Sequence, residues 1–308
     1  MINIVLIHKG IVGRKKDNYL SISLRCAHKY NPRANIFLIS DKIENNFSFV
    51  KYFNINDYFY SAKKFVNLYQ HFSSNSYDFE LFCIQRWFVL RDFMKINKID
   101  NCFYIDSDVL IFSDLFIEQQ KFSNFSFTLS EGTCGHNSFW NSYKAIDDFC
   151  NFIENVYSKK DFEYYKKMIN FWEKYKISGN LGGVCDMTLF KFYKQKYPNL
   201  IGETTKIIDN STYDHNISCV FQGDINFKNI FGVKNICWRN NLPYVKNSFG
   251  ELIKFNTLHC QGWAKKIMNK IFLKKKIISL RFLCGRVFNY LLKKTNLLML
   301  HNNFKNKK

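Results

Sequence analysis

Two carboxylates stand in an otherwise apolar run, Phe103-Tyr104-Ile105-Asp106-Ser107-Asp108-Val109-Leu110-Ile111-Phe112. Read as one extended strand over 102–112, the run projects residues two apart to the same side, so Asp106 and Asp108 point together. Like charges that close destabilise each other unless a cation neutralises them. A hard divalent ion with oxygen ligands, Mn2+ or Mg2+, is the natural resolution. Two solvated acids in a strand-to-loop turn would give the same triplet, and the apolar residues around it favour the metal.

A second segment, Thr257-Leu258-His259-Cys260-Gln261-Gly262-Trp263-Ala264-Lys265, follows a strand-like run over 252–258. Its histidine offers Mn2+ a borderline-soft nitrogen. The glycine lets the backbone approach a phosphate closely, and the lysine adds a point charge for the anion. The plainer alternative is a core histidine followed by an ordinary turn. Arg86 is a third candidate. With Phe82, Val89 and Phe93 it falls on one face of the helix expected over 78–98. An arginine in an apolar stripe needs an acid or a phosphate for its guanidinium, so the choice lies between a structural ion pair and a phosphate or ribose contact.

The fourth segment runs Ser178-Gly179-Asn180-Leu181-Gly182-Gly183-Val184-Cys185-Asp186, a glycine-rich turn that delivers one acid ahead of a helix. Asp186 is either a helix cap or a carboxylate on a tight loop, suited to sugar hydroxyls or base catalysis. The turn over 132–137 adds His136 and Asn137 with the same ambiguity.

The elements that must position these residues alternate between strand and helix patterns. Ile2–Ile7 is a continuous apolar run of the kind covered on both faces, 19–30 has helical spacing stopped by Asn31-Pro32, and 35–40 is a second buried strand. A strand–helix–strand opening of this length is a parallel βαβ unit, with ligands expected at the carboxyl ends of its strands. Residues 42–77 are less regular, 125–130 reads as a strand, and 143–177 reads as mostly helical.

The 308 residues carry 45 Lys+Arg against 25 Asp+Glu. Thirteen of those basic residues, and no acid, fall in 265–308, leaving 32 against 25 over 1–264. Most of the excess therefore belongs to a carboxyl segment that mixes Leu, Ile and Phe with Lys and Arg, the composition of amphipathic helices on an anionic leaflet. A solvated basic face whose apolar stripe packs on the catalytic part is the competing reading. Two parts follow, a catalytic domain over 1–264 and a basic tail over 265–308. The cysteines are scattered, with no Cys-x-x-Cys pair, as in a reducing compartment. The short apolar amino terminus reads as a strand. The expected location is cytoplasmic, with the tail at the inner face of the membrane.

Together these residues resemble the nucleotide-sugar glycosyltransferases of the GT-A fold, in particular the retaining family of glycogenin and the bacterial lipopolysaccharide galactosyltransferases. The resemblance runs over most of 1–265 and rests on the Arg-bearing helix, the Asp-x-Asp, the later Asp and the closing His-x-x-Gly-x-x-Lys. It implies an α/β, Rossmann-like single domain with a mostly parallel central sheet. Asp106, Asp108 and His259 would bind Mn2+ (or Mg2+) on the donor diphosphate, with Asp106 also facing the donor. Gly262 and Lys265 would contact the diphosphate, Arg86 the donor, and Asp186 the donor sugar. His136 or Asn180 would stand in for an Asn-Ala-Gly segment that has no clean counterpart. Where the family continues Lys-Pro-Trp, this chain has Lys265-Lys266-Ile267, and its first strand ends in His8-Lys9 rather than in acidic or small residues.

The implied reaction is transfer from a nucleotide-sugar, a UDP-sugar by expectation, to a glycan or lipid-linked glycan in bacterial surface polysaccharide synthesis. Inversion with Asp186 as base is the alternative outcome. A sugar nucleotidyltransferase is less well matched, because Gly10-Ile11-Val12-Gly13-Arg14-Lys15-Lys16 only loosely echoes its loop. A non-catalytic lectin or scaffold would not need both acids and the histidine. A basic membrane- or nucleic-acid-binding protein without catalysis is weighed last. Nucleic acid is not an expected partner, since the charge lies in an amphipathic tail.

Overall fold

The computed structural model describes residues 1–10, 18–42, 47–179, 181–218, 226–230 and 232–274. Residues 11–17, Asn180 and the basic segment beyond residue 274 lie outside them.

The opening βαβ unit is present: β1 (Asn3–His8), α1 (Tyr19–Tyr30) and β2 (Asn35–Ser40), with β1 and β2 parallel. The segment read as irregular supplies a third parallel strand, β3 (Val50–Asn54), and a short helix α2 (Tyr60–Phe65). The long helix is α3 (Tyr77–Ile96), followed by β4 (Cys102–Ile105), parallel to β1. The sheet continues through β7 (Asn137–Trp140), β6 (Phe127–Leu129) and β8 (Ile201–Glu203), in the order β3-β2-β1-β4-β7-β6-β8. Only β7 runs against its neighbours. The architecture is therefore α/β and Rossmann-like with a mostly parallel central sheet, as expected for a GT-A arrangement.

Alternation sorts the strand residues into two cores. Val5, Ile7, Phe37, Ile39, Cys102 and Tyr104 face α3 and the helices behind it, whereas Ile4, Leu6, Ile36, Leu38, Phe103 and Ile105 face α1. The helical stretch after β7 is two helices, α5 (Tyr143–Tyr157) and α6 (Phe162–Ser178), separated where Lys159 takes φ 64°. Ahead of β6 lies the single turn α4 (Leu115–Glu118), and α7 (Asp186–Lys196) begins at the predicted acid.

One expectation is corrected here. The apolar run 102–112 is not one strand. After β4 the chain turns at Asp106–Asp108, closed by the Val109 amide donating to the Asp106 carbonyl (3.1 Å), and leaves as β5 (Val109–Ile111) in a second sheet. There β5 pairs antiparallel with the long strand β14 (Leu252–His259) in a register that sets His259 opposite Val109. Strands β12 (Cys237–Arg239) and β13 (Leu242–Lys246) complete that path. The short β9 (Ser211–Tyr213) lies parallel to β14, and β10 (Asn229–Ile230) pairs with β11 (Val233–Lys234). An apolar run cannot by itself reveal a change of sheet, because both halves are buried.

After β14 a 3-10 turn over Gly262–Ile267 leads into α8 (Met268–Phe272). Ala264, Ile267, Met268 and Ile271 join the core that β14 shares with α1. The first residues of the basic segment are thus folded against the domain. Among the described residues, no helix is long and apolar enough to cross a membrane.

Candidate active site

The turn between the sheets divides the two acids. Asp106 still follows the alternation of β4, so its carboxylate lies on the same side as Tyr104, facing α3. There it accepts from Arg86 Nη1 at 2.7 Å and from the Tyr104 hydroxyl at 2.9 Å. The other arm of the guanidinium, Nη2, donates to Asp186 Oδ2 at 2.6 Å. Trp87, next on α3, adds its indole N–H to the same oxygen at 3.1 Å. Arg86 thus clamps together an acid from a strand end and an acid from a helix start, two residues 80 positions apart in the chain. Burial works against the guanidinium charge, but Asp106, Tyr104 and Asp186 outweigh it and raise Arg86 well above its ordinary range. Its Nε is buried without a hydrogen-bond partner, an open donor of the kind that costs about 1–3 kcal/mol.

Asp186 reaches this place because the glycine-rich turn is pinned. The Gly182 amide donates to Ser74 Oγ (2.8 Å) and the Val184 amide to the Phe72 carbonyl (2.8 Å). A side chain at Gly183 would collide with the Phe72 carbonyl, so only glycine lets the two segments approach. Glu80 secures the other side of the contact, accepting from Ser73 Oγ (3.0 Å) and Asn75 Nδ2 (2.6 Å).

Asp108, two residues after Asp106, is turned toward β14. His259 Nε2 lies 3.5 Å from its Oδ1 and Lys265 Nζ lies 3.2 Å from its Oδ2. Burial raises the carboxyl, but His259 and Lys265 overcome that and hold it well below the usual carboxylate range. His259 is shifted the other way: burial opposes its charge, yet Asp108 raises it above the ordinary histidine value. Gly262, at φ 61°, makes the left-handed step that starts the 3-10 turn carrying Lys265 back over the site. The ammonium also lies 4.8 Å from the centre of the Tyr19 ring.

A buried network fixes the imidazole. Its Nδ1–H donates to the His215 carbonyl (2.6 Å) and its backbone amide to Asp214 Oδ2 (2.9 Å). Asp214 Oδ1 is gripped by Lys234 Nζ at 2.5 Å, an ion pair with almost no solvent exposure. His136 stacks on His259 with ring centres 3.9 Å apart, and its Nε2 lies 3.1 Å from the Asp214 carbonyl. Burial first, then the neighbouring His259 and His215, push His136 well below the usual histidine range, so its ring is neutral. His136 therefore backs His259, from a position with no solvent access.

Among the described residues, no three His, Cys, Asp or Glu side chains are grouped closely enough to hold an ion by themselves. Asp108 and His259 nevertheless fit a divalent cation as a two-residue seat. Donors about 2.1 Å from a common ion in octahedral geometry stand about 3 Å apart, close to the 3.5 Å separating this oxygen and nitrogen. The Nδ1 bond leaves Nε2 as the ligating nitrogen. Such ions commonly complete their shell with substrate phosphates and water. Asp106, expected as a third ligand, accepts from Arg86 and Tyr104 through Oδ1.

Sequence reasoning missed Asp214, His215, Lys234, Tyr104 and Trp87. The polar run Asp214-His215-Asn216 directly after a strand was a usable signal. It also missed His8, whose Nδ1 lies 3.2 Å from Ser107 Oγ because β1 and β4 are parallel neighbours.

No protein-family model matches the chain, and neither does any curated protein. Among solved structures it is similar to mouse xyloside xylosyltransferase 1 in its apo form, at 12% identity and TM-score 0.47, covering 72% of this chain and 92% of that one. It is also similar to the galactosyltransferase LgtC in complex with donor and acceptor sugar analogues, at 10% identity and TM-score 0.41, covering 92% of this chain and 100% of that one. A third likeness is to the glycosyltransferase GlyE of Streptococcus pneumoniae TIGR4, at 12% identity and TM-score 0.36, covering 71% of this chain and 48% of that one.

Proposed function

We propose that the protein is a metal-dependent glycosyltransferase that moves a sugar from a nucleotide-sugar, a UDP-sugar, to a glycan or lipid-linked glycan with retention of configuration. The observation that carries this reading is the turn Asp106–Asp108, which serves two chemically different clusters at once. One holds two carboxylates around a single guanidinium. The other holds one carboxylate between an imidazole and an ammonium. A nucleotide-sugar divides its chemistry in the same way, a neutral polyhydroxyl ring at one end of a charged diphosphate.

Asp106 and Asp186, oriented by Arg86, suit the hydroxyls of the transferred sugar. Lys265 and the backbone at Gly262 suit the diphosphate. A divalent cation at Asp108 and His259, when bound, neutralises charge building on the departing diphosphate. Lys265 adds to that neutralisation while the anomeric carbon passes through an oxocarbenium-like state. Asp186 accepts from Arg86, Trp87 and the Met187 amide. With those donors on it, the carboxylate orients the sugar instead of taking a proton from the acceptor, which favours retention over inversion.

The basic segment is proposed to bring the enzyme to an anionic membrane surface where lipid-linked acceptors lie, in surface polysaccharide synthesis. Removing 275–308, which spares the packed turn and α8, should release the protein from vesicles containing anionic lipid; equal binding without it rejects the membrane role. The transfer reading is tested by incubating the full chain with UDP-, GDP- and CMP-sugars and Mn2+. Release of UDP from at least one UDP-sugar is expected, and release of nucleotide from none of them overturns it.

A further inference from the structure

A cavity of ≈ 640 Å³ opens beside the network that holds His259, a volume within the range of small-molecule sites. Its lining includes His215 and Lys234, the residues whose carbonyl and ammonium secure the imidazole directly and through Asp214. Two carboxylates enter from the main sheet. Glu203 ends β8, and Glu131 follows β6, whose carboxyl end lies at the same edge as Asp106. Phe227 and Phe249 enter from the other side. Phe249 sits in the turn closed by the Gly250 amide on the Asn247 carbonyl and is 87% exposed.

The presentation of Glu131 is built. Its backbone is left-handed (φ 50°), which costs a non-glycine residue about 1–2 kcal/mol. Neighbouring bonds hold it there: the Glu131 amide donates to Thr205 Oγ1 (3.2 Å), and Ser130 Oγ lies 2.9 Å from His215 Nδ1. Glu203 is steadied by Lys194 Nζ (3.0 Å) and Thr205 Oγ1 (3.2 Å) and keeps lone pairs for further donors.

We propose that this cavity is a carbohydrate subsite that takes a neutral sugar unit of the acceptor. A pyranose has a rim of hydroxyl donors and an apolar C–H face. Glu131 and Glu203 accept from the rim, and the negative π face of Phe249 covers the C–H face. The wall also carries Lys206 and Lys234, the latter paired with Asp214, so it offers donors as well as acceptors to the hydroxyls. Identifying the sugar as the acceptor's rests on the transferase reading; that a saccharide binds does not.

The test is saturation-transfer NMR on the full chain with methyl glycosides of glucose, galactose and mannose, and with lactose and maltose. Binding of at least one is expected, with the Kd rising about tenfold or more in Phe249→Ala and in Glu131→Gln, tenfold being about 1.4 kcal/mol. Nucleotide-sugar hydrolysis should be unchanged in both variants. Binding of none of the five, or binding that survives both substitutions, overturns the subsite. Saccharide binding lost in the variants, in a protein that hydrolyses no nucleotide-sugar, would sink the transferase reading and leave the subsite standing.

Discussion

The Arg86 cluster and the Asp108 cluster draw on acids two residues apart in the chain, Asp106 and Asp108, and differ in almost every physical respect. The first sits under the central sheet on a long helix, with two anions sharing one cation. The second sits where the two sheets meet, with one anion between an imidazole and an ammonium. The first is locked by short hydrogen bonds of 2.6–2.7 Å. The second has longer separations of 3.2–3.5 Å. The Asp-x-Asp turn thus acts as a divider that sends one acid to Arg86 and the other to His259 and Lys265.

Substitutions on either side should break the comparison in different ways. Asp108→Ala removes the only anion of its cluster, and donor hydrolysis should fall about 10³-fold; a chelator should do the same to the unaltered protein, both read as nucleotide release. Arg86→Ala leaves two carboxylates facing each other. It should cost about 3–5 kcal/mol of stability in denaturant unfolding and about 10²-fold in kcat/KM, and Arg86→Lys should recover only part, because it keeps the charge without the two-armed fork. Asp214→Asn, which weakens the acceptor holding the His259 amide, should weaken Mn2+ binding severalfold, measured by metal titration, while leaving the Arg86 cluster intact. The smallest effect on turnover is expected at His136→Phe, which gives up the buried bond to the Asp214 carbonyl at a cost of about 1–3 kcal/mol of stability and should change turnover little. A large loss there would mean the ring does more than support its neighbour.

Much of this was legible in the sequence because local patterns carried it. The apolar periodicity of Ile2–Ile7, 19–30 and 35–40 announced the βαβ unit, and the stripe through Phe82, Arg86 and Val89 announced an arginine that needed an acid or a phosphate. What stayed hidden depended on partners distant in sequence. The break at Asp106–Asp108 follows from the pairing of β5 with β14, which no window around residue 107 contains. The Lys234–Asp214 pair, likewise, is meaningful only once both reach the back of His259. His136 stands in the turn before β7, as read, but its burial behind His259 depends on a strand more than a hundred residues away.

The most direct test is calorimetric titration of UDP into the full chain with Mn2+, with chelator, and with Mn2+ in His259→Ala. A cation seated by Asp108 and His259 predicts binding that requires Mn2+ and is lost in the variant. Equal UDP affinity under all three conditions would contradict it.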